Sequence, residues 1–176
     1  MKIAFMGTHG TGKTTLAHEL VSKLKKKGID AGFLSEVVRS CPFPINEDRT
    51  KKAQIWIILN QIVKEIESGE KYSCLVCDRS VLDGYCYYTS KFGDAKFLEP
   101  IIKQHLQTYT HLIRVPIRKG LLKKDKVRST NEKFQKEIDN QFNKILKKFN
   151  VKHINLKDWE NKSDKEIVEQ VLNNLE

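Results

Sequence analysis

The chain has 176 residues, 31% charged and 39% hydrophobic, with a formal net charge of +10. That length is enough for one compact domain with its own core, expected to span residues 1–176. No stretch approaches the ~20 apolar residues of a membrane span, and the first apolar run is too short for a signal peptide, so membrane partners are excluded and a cytoplasmic location is expected.

Residues 1–6 form a short apolar run that reads as a buried strand. A glycine-rich turn follows, then a helix over 15–27 with Leu16, Leu20, Val21 and Leu24 on one face. Gly28 leads into a second strand at 31–35. Residues 50–67 have the helical period, with Ile55, Ile58, Leu59, Ile62 and Ile66 as the apolar stripe and Gly69 as the stop. A third strand is expected at 73–77, helices near 81–91 and 96–109, and a fourth strand at 111–115. After a basic segment at 118–128, residues 129–149 are helical, with Phe134, Ile138, Phe142, Ile145 and Phe149 on one side. Residues 151–155 read as a fifth strand. The last helix opens at Ser163, whose S-x-x-E spacing to Glu166 is a capping box, and Ile167, Val171 and Leu175 give it an apolar face. Five apolar strands alternating with helices predict an α/β fold, a mostly parallel sheet covered on both faces. Cys74 and Cys77 lie in one of these strands, where alternation sends them to opposite faces as small hydrophobes rather than as a metal or redox pair.

The turn after the first strand carries chemistry. Gly7 to Thr14 reads Gly-Thr-His-Gly-Thr-Gly-Lys-Thr, which fits G-x-x-x-x-G-K-[ST]. Gly7, Gly10 and Gly12 allow a tight turn whose backbone N–H groups point at phosphate oxygens, so His9 and Thr11 contribute through the main chain. Lys13 brings a point charge to the outer phosphates, Thr14 offers a hydroxyl to Mg2+, and Thr15 opens the helix whose positive end faces the anion. Strand, loop and helix are the context this motif requires. Ligands of a parallel sheet bind at the carboxyl ends of its strands. Glu36 follows the second strand, and Asp78 and Arg79 follow the third. A carboxylate there can organise Mg2+ or accept a proton, and an arginine can clamp a phosphate.

Together, Gly-Thr-His-Gly-Thr-Gly-Lys-Thr-Thr, Ser-Glu-Val-Val-Arg and Cys-Asp-Arg-Ser-Val-Leu-Asp resemble the P-loop nucleoside and nucleotide kinases. The nearest group is the AAA-type ATPase/kinase domains related to the ribosylnicotinamide kinase domain; deoxynucleoside kinases and thymidylate kinase are more distant. The likeness runs nearly end to end and implies the P-loop NTPase fold, a three-layer α/β/α sandwich with a basic helical lid at about 116–130. It implies Glu36 as the base that activates the acceptor hydroxyl, and Asp78 and Arg79 as the pair that positions magnesium and phosphate or acceptor. Asp125-Lys126-Val127-Arg128-Ser129 resembles the Asp-Gly-Val-Arg-Ser stretch of the group, which makes Arg128 the lid arginine, although Lys126 stands where glycine is usual.

Arg39 is a substrate-binding candidate, or a partner of Glu36 one helical turn away. Gln61 and Tyr85 are candidates to read or stack on a base or, equally, structural helix residues, and Trp56 to pack in the core or against the acceptor. The resulting expectation is transfer from ATP, with Mg2+, to a nucleoside, nucleotide or similar small hydroxyl acceptor. Two alternatives stand beside it. A regulatory NTPase that uses ATP or GTP draws on Asn161-Lys162-Ser163-Asp164, which matches the guanine-reading N-K-x-D pattern but sits at a helix cap rather than directly after a strand. A kinase of nucleic-acid ends draws on the positive charge, yet the lysines are scattered without interleaved aromatics, so nucleic acid is the less favoured partner. A homodimer is an alternative to the monomer.

Overall fold

The structure, a computed structural model, describes residues 1–118, 120–122, 129–156 and 159–175. Its strands are β1 Lys2–Met6, β2 Ala31–Leu34, β3 Cys74–Asp78, β4 His111–Arg114 and β5 Ile154–Asn155. Its helices are α1 Lys13–Lys26, α2 Lys51–Gly69, α3 Val81–Phe92, α4 Glu99–Leu106, α5 Glu132–Lys148 and α6 Asp164–Asn173. The sheet order is β2-β3-β1-β4-β5, and each neighbouring pair is parallel.

The two-residue period of the strands builds two cores. Ile3, Phe5, Cys74, Val76 and Ile113 pack on one face with Leu16 and Leu20 of α1 and Ile167 and Val171 of α6. Ala4, Met6, Leu75, Cys77 and Leu112 face the other way, against α2, α3, α4 and α5. Cys74 and Cys77 are therefore on opposite faces, both buried and both free thiols. Each fully buried leucine of α1 contributes roughly 1.5–3 kcal/mol. The expected three-layer α/β/α architecture is the one observed.

Three elements differ from their expected form. The apolar stripe expected on α2 is only partly the buried face: Ile58 is buried and Ile55 and Ile62 pack against the core, but Leu59 and Ile66 are 41% and 58% exposed, while Gln54, Ile57, Gln61 and Glu65 are buried. The reason is a polar network. Glu65 accepts from Gln61 Nε2 at 2.8 Å, Tyr109 Oη at 2.6 Å and Lys2 Nζ at 3.0 Å, and sits 2.8 Å from His105 Nε2. A fully hydrogen-bonded carboxylate can be buried, and this one rotates the helix inward about its polar edge. β5 is short because Val151 still belongs to the end of α5. Asn150 takes a left-handed φ of 49° and Val151 N–H returns to the Leu146 carbonyl at 3.0 Å, closing the helix before the strand begins. α4 starts at Glu99, later than expected, with Pro100 in its first turn, where a missing N–H costs nothing.

Because the sheet is parallel, the ends of β1, β2 and β3 share one edge. Phe5 is level with Asp78, and Leu34 with Cys77. The loop after Met6, Glu36 and Asp78 therefore meet over the centre of the sheet, where β1 has β3 on one side and β4 on the other.

Candidate active site

The loop between β1 and α1 is built for close approach. Gly7 has φ +146°, and a Cβ there would lie 2.5 Å from the Val115 carbonyl oxygen, so no side chain fits. Its N–H donates to Asp83 Oδ1 at 3.2 Å. The His9 N–H donates to Tyr87 Oη at 3.2 Å, the His9 carbonyl accepts from Gln135 Nε2 at 2.7 Å, and Thr8 Oγ1 donates to the Gln135 carbonyl at 3.1 Å. The loop is thus clamped from α3 and α5 as well as by its own side chains, Thr11 Oγ1 donating to the Thr8 carbonyl at 3.2 Å. Lys13 lies across it, donating from Nζ to the Thr8 carbonyl and to Thr11 Oγ1 at 3.3 Å. Burial, with Arg79 beside it, pulls the Lys13 ammonium down from 10.5 to about 7.

At the end of β3, Asp78 Oδ2 accepts from Thr14 Oγ1 at 2.6 Å. Burial, and then Glu36, raise the Asp78 carboxyl above its ordinary value. A buried carboxylate beside a hydroxyl is a hard-oxygen donor set that suits Mg2+, whose charge would favour the ionised form. Thr14 and Asp78 are the residues that would hold it; among the described residues no cluster of three or more His, Cys, Asp or Glu side chains forms a fuller metal site.

Arg79 turns the corner between β3 and α3 with φ +89°, an uncommon conformation for a residue with a side chain. Its N–H is held by the Phe5 carbonyl at 3.1 Å and its carbonyl by Gln61 Nε2 at 3.4 Å. The turn directs the guanidinium to Glu36 Oε1 through Nε and to Asp83 Oδ1 through Nη1 at 3.4 Å. Glu36 is 6% exposed, and Oε2 accepts from Arg39 Nε at 3.1 Å. Burial alone would raise the Glu36 carboxyl; Arg79 and Lys13 outweigh it and hold the group below the usual range.

Two cavities share this Glu36–Arg79 wall. One is the phosphate cradle, lined by Gly10, Thr11, Gly12, Lys13, Thr14 and Asp78. The other also touches the pair and is lined by His9, Asp83 and Tyr87, by Asn46 and Gln54, and by apolar Val38, Ile45 and Ile57. Gly84 forms part of its floor because α3 touches α2 there: a Cβ would sit 2.7 Å from Ile58 Cγ1.

The sequence-derived candidates divide accordingly. Gly7, Gly10, Thr11, Gly12, Lys13, Thr14, Glu36, Asp78 and Arg79 come together, with Arg39 on the outer oxygen of Glu36. His9 belongs to the second cavity rather than to the cradle. Thr15 is exposed on α1 and does not line the cradle. Gln61 lines neither cavity; it is buried beneath Arg79 and bonded to Glu65. Tyr85 is also misplaced as a ligand residue: fully buried, it stacks on Phe149 and donates to Glu99 Oε1 at 2.9 Å. Trp56 lines neither of these cavities but a third groove, with Ser40, Asn60 and Lys64, that also touches Glu36. Arg128 lies outside the described residues. In the N-K-x-D stretch, Ser163 caps α6 with Glu166, while Arg118 donates to the Lys162 carbonyl at 3.2 Å and to Asp164 Oδ1 at 3.4 Å.

Sequence reading assigned no individual role to Gln54, Asp83, Tyr87 or Gln135, although Asp83 closes the Cys-Asp-Arg-Ser-Val-Leu-Asp stretch. One of them had a signal: Ser80-x-x-Asp83 is a capping box, and Asp83 Oδ2 accepts from Ser80 N–H at 2.8 Å and Ser80 Oγ at 2.9 Å.

His9 carries a pH consequence. Its imidazole, 2% exposed, is lowered from 6.5 to about 4 by burial, then by Arg79 and Lys13. The unfolded chain takes up this proton near 6.5 and the native chain only near 4, so stability is lost as pH falls through that window. The slope from one such group approaches ~1.4 kcal/mol per pH unit. Urea melts at pH 7.5 and 5.0 should show His9→Gln losing less stability on acidification than the wild type; an equal loss would refute the assignment.

A family model described as AAA domain matches residues 2–162. Curated protein sequences give no match. Among solved structures, deoxyadenosine kinase from M. mycoides, in one case with dATP bound, superposes with a TM-score of 0.71 at 19% identity, covering 99% of this chain and 98% of that one. Thymidylate kinase from Ehrlichia chaffeensis superposes with a TM-score of 0.73 at 17% identity, covering 100% of this chain and 98% of that one.

Proposed function

The chain belongs to this AAA domain family, and from that premise we propose that it is a P-loop phosphotransferase, using ATP and Mg2+ to phosphorylate a hydroxyl of a nucleoside, nucleotide or similar small acceptor. The observation that carries the reading is the shared wall: Glu36 and Arg79 separate a phosphate cradle from a second, partly apolar cavity. A pure NTPase has no use for the second cavity. A kinase needs a donor site and an acceptor site meeting at one carboxylate.

In this reading Lys13 and the N–H groups of the loop hold the donor phosphates, and Arg79 stabilises charge on the transferred group. The acceptor oxygen bonds to the γ-phosphorus as the bond to the β,γ-bridging oxygen breaks. The bridging electrons leave with ADP, and the acceptor's hydroxyl proton goes to Glu36. Mg2+, held by Thr14 and Asp78, would supply charge neutralisation on the phosphates. GTP is the alternative donor. Segment 116–130 would exclude water as a lid, within a single domain spanning the chain.

The test is transfer itself. With Mg-ATP or Mg-GTP and a panel of nucleosides, nucleotides and oligonucleotides, nucleoside diphosphate should form in step with a phosphorylated small acceptor. Hydrolysis without transfer to any member of the panel would sink the proposal. Lys13→Ala should lower turnover by about 10²- to 10³-fold, the usual worth of one charge-stabilising donor; unchanged turnover would count against the donor site.

A further inference from the structure

We infer that the acceptor is an uncharged, nucleoside-like hydroxyl compound and not a phosphate monoester, because among the described residues the wall of the acceptor cavity holds more carboxylate than cation. The inference rests on the phosphotransferase reading and sharpens its acceptor. Two carboxylates, Glu36 and Asp83, line the cavity against one guanidinium, Arg79. That guanidinium already binds both of them, through Nε and Nη1.

Among the described residues, the neighbouring cations Arg39, Arg49 and Lys13 are engaged elsewhere. Arg39 binds the other oxygen of Glu36. Arg49 donates to the Tyr87 carbonyl at 2.8 Å, the Asn46 carbonyl at 2.9 Å and Ser90 Oγ at 2.7 Å. Lys13 lies on the cradle side, on Thr8 and Thr11. His9 brings no charge either, because burial holds its imidazole near 4 and leaves it neutral at neutral pH.

A phosphate monoester carries about −1.5 to −2 at neutral pH. Placed in this cavity it would meet two fixed carboxylates in a water-poor setting, with no surplus cation among the described residues to answer it. A neutral acceptor fits the same wall. Val38, Ile45 and Ile57 give apolar surface to a flat body, and Gln54 offers an amide that both donates and accepts. His9 Nε2 is buried without a hydrogen-bond partner, the one orphaned polar atom among the described side chains of this wall. The hydroxyl to be phosphorylated then needs one acceptor for its proton, and Glu36 is that acceptor.

The experiment compares each nucleoside with its own 5′-monophosphate, using the full chain and Mg-ATP, and measures kcat/KM and equilibrium binding for both. The best nucleoside should exceed its monophosphate by at least ~100-fold in kcat/KM, the order expected for an uncompensated like-charge contact. It should also bind more tightly in a calorimetric titration. Transfer that prefers the monophosphate, or ignores the difference, overturns the inference and leaves the phosphotransferase reading standing. Hydrolysis with no transfer to either series overturns that reading and this inference with it.

Discussion

Glu36→Gln is expected to lower phosphoryl transfer by roughly 10²- to 10⁴-fold, the usual worth of a general base, while triphosphate binding changes little. The amide keeps the shape of the side chain but cannot take the acceptor proton. It also weakens the hold on Arg79, which turns through a left-handed conformation to reach Glu36. Single-turnover transfer rates and equilibrium binding of ATP separate the two effects. Because the Glu36 carboxyl is held below its ordinary value by Arg79 and Lys13, its pairing stabilises the fold above the unfolded-state value of about 4.3 and is lost as pH falls through the lower native value. Transfer within threefold of wild type would show that the proton goes elsewhere.

Asp83→Ala should be the most damaging change to stability, at about 3–5 kcal/mol, the cost of breaking a buried charge pair from one side. One carboxylate holds three structures at once: the start of α3 through Ser80, the entry of the phosphate loop through the Gly7 N–H, and the Arg79 guanidinium. Removing it leaves buried donors without acceptors. A loss of this size corresponds to about 10 °C in Tm for a chain of this length. Asp83→Asn retains acceptor capacity and should fall between the two. Urea denaturation decides it: a loss below ~1 kcal/mol for the alanine variant would mean that the contacts at Asp83 carry little weight.

The parts legible in the sequence were those set by local rules. Gly7 to Thr14 was readable because its glycines, lysine and threonine sit at fixed offsets in one turn. Glu36 and Asp78 were readable because a parallel sheet brings every strand end to one edge. Gln61 and Tyr85 misled for a common reason. Each lies on a helix next to the site, and a helix offers four or five directions to its side chains. Choosing among them needs the neighbours: Glu65, Tyr109 and His105 take Gln61 inward, and Glu99 with Phe149 take Tyr85 away. Gln54, one helical turn before Ile58, reached the cavity only because Gly84 lets α3 lie against α2.

By itself, then, the sequence determined the layered fold, the phosphate loop and the carboxylates at the strand ends, because period, turn chemistry and strand polarity are local and accumulate along the chain. Only the tertiary structure decided which helix faces are buried and what the acceptor meets. Those outcomes depend on how α2, α3 and α5 rotate against the sheet. The rotation was settled by buried polar partners, Glu65 with Gln61 and Asp83 with the loop, that lie far apart in sequence and leave no periodic trace.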